Sequence, residues 1–171
     1  MSRFAAAPFS GAVKLASAVS TAALAATSVI LARVLPHGAA APLPDSLLAL
    51  LALVPACLLA GAILWTVRGY ELQPGRLLVR RLLWDTRVDL GALESIARDA
   101  QAMRGSIRVM GNGGLFAISG RYRNAALGRY RAFVTDPAKA VVLRGRSSGV
   151  IVVSPADPEA FVASARPVSN S

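Results

Sequence analysis

Tyr70-Glu-Leu-Gln-Pro-Gly-Arg-Leu-Leu-Val-Arg-Arg81 is the stretch that decides the fold. Two short runs of strand-forming residues flank Pro74-Gly75, a strong turn signal: proline pre-sets the first central position and glycine supplies the positive φ of the second. The pattern predicts a strand over Tyr70–Leu72, a turn over Gln73–Gly75 and a second strand over Leu77–Leu83. Toward the C-terminus the same punctuation continues. Trp84-Asp85 reads as the next turn, Arg87–Leu90 as a strand, and Val141–Leu143 and Val150–Val153 are β-branched runs. Asp157-Pro158-Glu159 combines an N-cap, a first-turn proline and a first-turn acid, which predicts one short helix from Pro158 to about Ala165. Residues 69–171 form a compositional unit of 103 residues with 14 Arg, one Lys and eight carboxylates, a net charge of +7. That is enough chain for one small core.

Upstream the composition changes. Of the 171 residues 54% are hydrophobic and only 16% charged, where soluble domains carry about 25% charge, so part of the chain belongs outside water. Leu15–Ala32 runs 18 residues without a charge and Ser46–Val67 runs 22. As helices they would span about 27 and 33 Å, against a hydrocarbon core of about 30 Å. Residues 1–68 are therefore expected to form a transmembrane helical hairpin, Val13–Leu35 and Ser46–Val67. Its second helix is leucine-rich, with Pro55 as a kink and Trp65 at the interface. The first carries Ser17, Ser20, Thr21, Thr27 and Ser28 and needs a partner. Ala18, Ala22 and Ala26, with Ala56 and Ala60 opposite, offer a small-residue packing face. Pro36–Asp45, with three prolines, is the connection. Arg3 and Lys14 precede the first helix and Arg68, Arg76, Arg80 and Arg81 follow the second. This asymmetry predicts a multi-pass protein of the cell (inner) membrane with both termini cytoplasmic. A cleaved signal peptide is the alternative for the first segment, with Ala39–Ala41 as its small-residue site, although 18 apolar residues exceed the usual 7 to 15.

The downstream unit carries a resemblance. Tyr70–Arg81, Arg87-Val-Asp-Leu90 and Ile96 resemble the opening meander of bacterial pleckstrin-homology (PH) domain membrane proteins. Gly111-Asn-Gly-Gly-Leu-Phe116, Gly120-Arg-Tyr-Arg-Asn124 and Leu127-Gly-Arg-Tyr-Arg-Ala-Phe-Val-Thr-Asp136 are more specific, and Ser154-Pro-Ala-Asp-Pro-Glu-Ala-Phe161 closes the match. It covers residues 69–165, and the hairpin upstream fits it. The resemblance implies an α+β membrane protein: the two-helix hairpin plus a cytoplasmic PH-like domain over 69–166, a seven-stranded β-barrel capped by a C-terminal helix, then a disordered tail at 167–171. Such a fold hosts lipid, peptide and protein recognition alike and does not by itself assign a function. Phosphoinositide chemistry does not carry over, because only Arg76 is basic between Leu72 and Leu77.

Catalytic constellations are sparse. His37 and Cys57 are the single histidine and cysteine, and they fall in the connection and mid-helix, so no metal site and no cofactor is expected. The carboxylates of residues 71, 85, 89, 94, 99, 136, 157 and 159 scatter at turns and strand ends, where they read as turn and cap residues. Gly111–Gly114 lacks a following Gly-Lys-Ser/Thr and reads as a bulge or loop needing positive φ. One feature stands out. Arg121-Tyr122-Arg123 and Arg129-Tyr130-Arg131 repeat a triplet around a five-residue connection. Strand alternation would place all four arginines on one face and both tyrosines on the other, with Phe133 on the arginine side. Like charges across a hairpin repel, so the strip invites an anionic lipid headgroup, a bound phosphate or an acidic protein partner. The plain alternative is a solvated face in an arginine-rich chain. Nucleic acid fits poorly, since stacking aromatics are scarce. The expected protein is a non-enzymatic, membrane-anchored accessory module that binds lipid or a partner; the alternative is a structural subunit or stabiliser of a larger membrane enzyme or transporter.

Overall fold

In the computed structural model, which describes residues 2–34, 44–113 and 116–165, the turn at Pro74-Gly75 is present, with Gly75 at φ 69°. The chain opens with strand β1 (Ser2–Ala5), then helices α1 (Gly11–Val34) and α2 (Asp45–Leu64). Next come β2 (Gly69–Gln73), β3 (Arg76–Arg80), β4 (Asp85–Asp89), β5 (Leu93–Arg98) and β6 (Ile107–Gly113). The chain continues through β7 (Ile118–Asn124), β8 (Gly128–Val134), β9 (Val141–Gly145), β10 (Gly149–Val153) and helix α3 (Pro158–Ala165). The expected connection around His37 and the expected tail at 167–171 lie outside the described residues.

The result is a mixed α+β protein with PH-like sheets, but the seven-stranded barrel is not formed. The strands make two separate sheets, ordered β1-β2-β3-β4 and β5-β9-β10-β8-β7-β6. No ladder joins β4 to β5, and Gly91 between them takes a positive φ of 60°. A further difference lies at the N-terminus. Ser2–Ala5 falls within the 1–68 unit expected to be hairpin, yet it pairs antiparallel with β2, Ser2 opposite Leu72 and Ala5 opposite Gly69. Its backbone fills an edge that would otherwise be unpaired. Its side chains fit too: Arg3 donates to Glu71 at 3.0 Å, and the Phe4 ring meets Phe161 edge-on at 5.0 Å.

The core lies between the sheets. Tyr70, Leu77, Val79 and Val88 from the first sheet meet Phe133, Leu143, Ile151 and Val153 from the second, with Phe161 and Ala165 of α3 in the same cluster. The opposite face of the larger sheet is also covered: Tyr122, Tyr130, Ala132, Val142 and Val152 pack under Ala102 and Met103. Burial on both faces explains why strands such as Val150–Val153 read as continuous apolar runs rather than alternating ones. Helix α3 begins as its sequence predicts, with the Asp157 carboxylate accepting the Ala160 N–H at 3.0 Å.

Among the described residues, Gly11–Leu31 is long and apolar enough to cross a membrane. The corresponding apolar part of α2, Leu50–Leu64, is shorter. Helix α2 stops before the expected Val67 because Val67 is already buried in the domain core. The helices pack on each other, but not through the alanines. Ala18, Ala22 and Ala26 of α1 are exposed, as are Ala56 and Ala60 of α2, while Val13, Ser17, Thr21, Leu24 and Ser28 form the covered stripe. Ser17, Thr21 and Ser28 thus turn inward and leave aliphatic and alanine surface outside. Thr27, on the exposed side, donates to the Ala23 carbonyl at 2.8 Å instead.

One buried hydroxyl joins these parts. Tyr70, fully buried, donates to the Phe133 carbonyl at 2.6 Å and accepts the Ser154 N–H at 3.2 Å. The Ser154 hydroxyl accepts the Thr135 N–H at 2.8 Å, and the Thr135 hydroxyl donates to the Ala7 carbonyl at 2.7 Å. Burial pushes the Tyr70 hydroxyl up to about 12 from an ordinary 10.0. The neutral phenol is therefore favoured in the folded state. Between about pH 10 and 12 the unfolded chain releases this proton first, so stability falls as pH rises, by about 2 to 3 kcal/mol across the window. Tyr70→Phe should cost about 1 to 3 kcal/mol at pH 7, by stranding the Phe133 carbonyl and the Ser154 N–H. It should also flatten the alkaline slope, measured by thermal melting in detergent across pH 8 to 12; an unchanged slope would contradict this role.

Candidate functional site

Strand β3 alternates inward and outward, with Leu77 and Val79 buried and Arg76 and Arg80 exposed. The next inward position is Arg81, which places a guanidinium on the core side with only 7% of its surface exposed. Its Nε donates to the Thr86 hydroxyl at 2.9 Å and its Nη2 to the Ser119 hydroxyl at 3.0 Å. Nη1 donates to the Trp65 carbonyl at the end of α2. The group also lies over the Trp65 ring at 5.8 Å and the Phe133 ring at 5.7 Å. No carboxylate neutralises it: the ion pairs among the described residues are Arg3–Glu71, Arg80–Asp85, Arg98–Glu159 and Arg146–Glu94. Burial lowers its pKa from the ordinary arginine value. Three of its five N–H groups are engaged, leaving two uncommitted within the protein.

Arg81 lines a cavity of about 650 Å³ between the end of α2 and the two sheets. Trp65, Trp84, Met110 and Phe133 supply its apolar wall, and Gly61 and Ala62 of α2 reach it as well. Trp65 and Trp84 meet edge-on at 5.5 Å. On the far side Gly111 stands opposite Gly120 at positive φ of 115° and 148°. A Cβ on either would overlap a carbonyl of the facing strand, Ser119 from Gly111 and Met110 from Gly120. Gly111 and Gly120 thus serve a close strand approach beside a register shift between Arg108 and Met110.

The four strip arginines sit on the hairpin of β7 and β8. Arg121 is opposite Arg131, Tyr122 opposite Tyr130, and Arg123 opposite Arg129. The tyrosines stack at 6.0 Å under the second core cluster. Phe133 keeps the alternation, with no register shift between β7 and β8, and it is buried in the main core. The arginine face and the core face are therefore one face of the sheet, apolar at one end and cationic at the other. The structure divides the four. Arg121 and Arg131 line the cavity with Arg81 and also reach a neighbouring cavity of about 410 Å³, which they share with Arg129, Tyr130 and Ser148; Arg129 lines only the second, and Arg123 is exposed and lines neither. The Arg131 guanidinium lies over the Phe133 ring at 5.4 Å, and burial together with the nearby Arg121 charge lowers its pKa.

Sequence reasoning misses Arg81, Trp84, Met110 and Ser119 as site residues. One signal for Arg81 is present: it is in phase with Leu77 and Val79, where strand alternation calls for an apolar side chain. Among the described residues no three His, Cys, Asp or Glu side chains gather where they could hold a metal ion, and Cys57 is exposed on α2. The chemistry on offer is anion recognition by guanidinium groups beside an aromatic wall.

Two separate sheets with a C-terminal helix packed into their shared core define a PH-like domain. The bacterial PH domain family matches residues 68–168, more than half of the chain, and the chain belongs to that family. No curated protein and no solved structure matches it.

Replacing Arg81 tests how the site is built. Arg81→Ala should lower stability by about 2 kcal/mol, since it strands the Ser119 and Thr86 hydroxyls and the Trp65 carbonyl. Arg81→Lys restores the charge but not the planar fork and should recover less than half of that loss in thermal melts. Full recovery by lysine would show that charge alone matters.

Proposed function

We propose that the chain is a non-enzymatic, membrane-anchored PH-like module that holds an anionic ligand or an acidic segment of a partner at the cytoplasmic face of the cell membrane. The observation that carries this is the convergence of Arg81, Arg121 and Arg131 on one cavity whose lining contains no carboxylate. In this reading α1 and α2 are the anchor. Support comes from the apolar length of Gly11–Leu31 and from the exposure of Leu15, Val19, Leu50, Leu53 and Leu58 on the helix surfaces. Arg3, Lys14, Arg68, Arg76 and Arg80 all lie toward the domain end, the bias that sets a cytoplasmic side.

A second reading, a stabilising subunit of a larger membrane complex, is favoured by one observation. Packing of α1 on α2 leaves Ala18, Ala22, Ala26, Ala56 and Ala60 facing outward, a surface that another membrane helix could approach closely.

Reporter fusions at residue 40 and at the C-terminus should report opposite compartments; both on one side would overturn the anchor. For the strip, the full-length protein in neutral nanodiscs should capture phosphatidylglycerol vesicles at low salt and release them at high salt. Replacing Arg121, Arg123, Arg129 and Arg131 together with glutamine should cut capture by about tenfold or more. Unchanged capture would leave the strip as a solvated face.

A further inference from the structure

We infer that the cavity beneath Trp65 and Trp84 holds the phosphate-bearing headgroup of a bilayer phospholipid, with the phosphate on Arg81, Arg121 and Arg131 and the first acyl carbons against Trp65, Trp84, Met110 and Phe133. The inference rests on the membrane-anchored reading and adds the ligand class and the residues that grip it.

Three observations carry it. The first is charge. Three guanidinium groups line one cavity without a carboxylate, and the most buried of them keeps two N–H groups uncommitted. Guanidinium groups grip phosphate oxygens in pairs, and burial strengthens each such bond. The second is the wall. Two tryptophans, a methionine and a phenylalanine face the same space, which a free inorganic anion has no means to use. At about 650 Å³ the cavity falls within the ~300–1,000 Å³ of small-ligand sites.

The third observation is position. Gly61, Ala62 and Trp65, at the end of α2, form part of the wall, so the cavity lies where the anchor leaves the bilayer. Beside it the β3–β4 connection projects an apolar tip. Leu83 is 71% exposed, Leu82 and Trp84 are exposed as well, and so are Val109 and Met110 on the neighbouring rim. An apolar tip with tryptophans next to a helix end is what a segment seated in the headgroup layer carries. A lipid can thus pass from the leaflet into the cavity without crossing water. The site is also separate from the β2–β3 turn, where Arg76 alone is basic.

Trp65 and Trp84 are the chain's two tryptophans and both line the cavity, so intrinsic fluorescence of the full-length protein in neutral detergent reads the site directly. Titration with dihexanoyl-phosphatidylglycerol should give a saturable change, while dihexanoylglycerol and inorganic phosphate should each bind at least about tenfold more weakly. Arg121→Gln with Arg131→Gln, both clear of the fully buried core, should weaken the phosphatidylglycerol response by about tenfold; Arg123→Gln with Arg129→Gln should change it less than about twofold. An equal response to dihexanoylglycerol would reduce the site to an apolar groove, and an equal response to phosphate would make it a free-anion site; either overturns the inference. Equal weakening by the two double variants would overturn it in favour of diffuse surface charge. The two levels fail separately. Absent binding with reporters in opposite compartments removes the lipid site and leaves the anchor, whereas reporters in one compartment remove the anchor whatever the titration gives.

Discussion

The Tyr70 hydroxyl is the point on which the two sheets depend. No backbone ladder joins the two sheets, and the backbone contacts between them are confined to their margins, at Ala5–Ala7 with Ser154–Ala156 and at Leu90 with Ser147, so side chains carry most of their relative placement. Most of that contact is apolar and directionless. Tyr70 supplies direction: it reaches from β2 to the Phe133 carbonyl on β8 and to the Ser154 N–H just past β10. Through Ser154 and Thr135 the same network holds Ala7, between β1 and α1. Every member is buried and satisfied, which makes the network specify one arrangement rather than merely tolerate it. The cost of losing any member is an orphaned polar group in a dry core.

A second consequence follows from leaving the sheets open. A closed barrel would have filled its interior with side chains, whereas here the shared face of β7 and β8 is apolar only as far as Phe133 and cationic beyond it. Arg81 sits at the boundary. A guanidinium buried there without a counter-charge costs more to desolvate than a well-packed apolar side chain of the same volume would, although truncating it strands the partners of its three internal hydrogen bonds. Natural sequences place such unfavourable groups at sites of recognition more often than in cores built for stability alone. This is the physical ground for reading the open end as a binding site.

Much of the domain was legible in the sequence because its signals are local. The turn at Pro74-Gly75, the helix start at Asp157-Pro158 and the two-residue alternation of the arginine triplets all follow from the chemistry of a few neighbouring residues. What escaped is long-range. Ser2–Ala5 carries no strong strand signal of its own and becomes a strand because the edge of β2 is free. The alanine spacing in α1 points to a packing face, but the covered side carries Ser17, Thr21 and Ser28 instead, and Ser17 gains a partner there that only the fold supplies, the Phe116 N–H. For the candidate site, alternation places Arg121 and Arg131 on the face that the β7–β8 register gives them. Arg81 was obscured because it reads as one more cation in an arginine-rich run, and its role depends on Trp65, Ser119 and Phe133, which meet it only in three dimensions.

The same guanidinium also ties the site to the helices. The last carbonyls of a helix have no intrahelical partner and carry the negative end of its dipole. Arg81 donates to one of them, the Trp65 carbonyl, and so caps α2 with a side chain from the domain. At the other helix, the Ser17 hydroxyl of α1 accepts the Phe116 N–H at 2.8 Å, from a residue at φ 60° just before β7. Each helix is therefore latched to the domain by a polar contact, and the two latches engage opposite ends of the segment that carries the site: β3 at Arg81 and the start of β7 at Phe116. A domain hung on a flexible linker would sample many orientations. This one is fixed by α2 running into β2 through four residues and by these two latches. The cavity consequently keeps a constant position relative to the helix ends, so whatever occupies it is held at one depth along the helices.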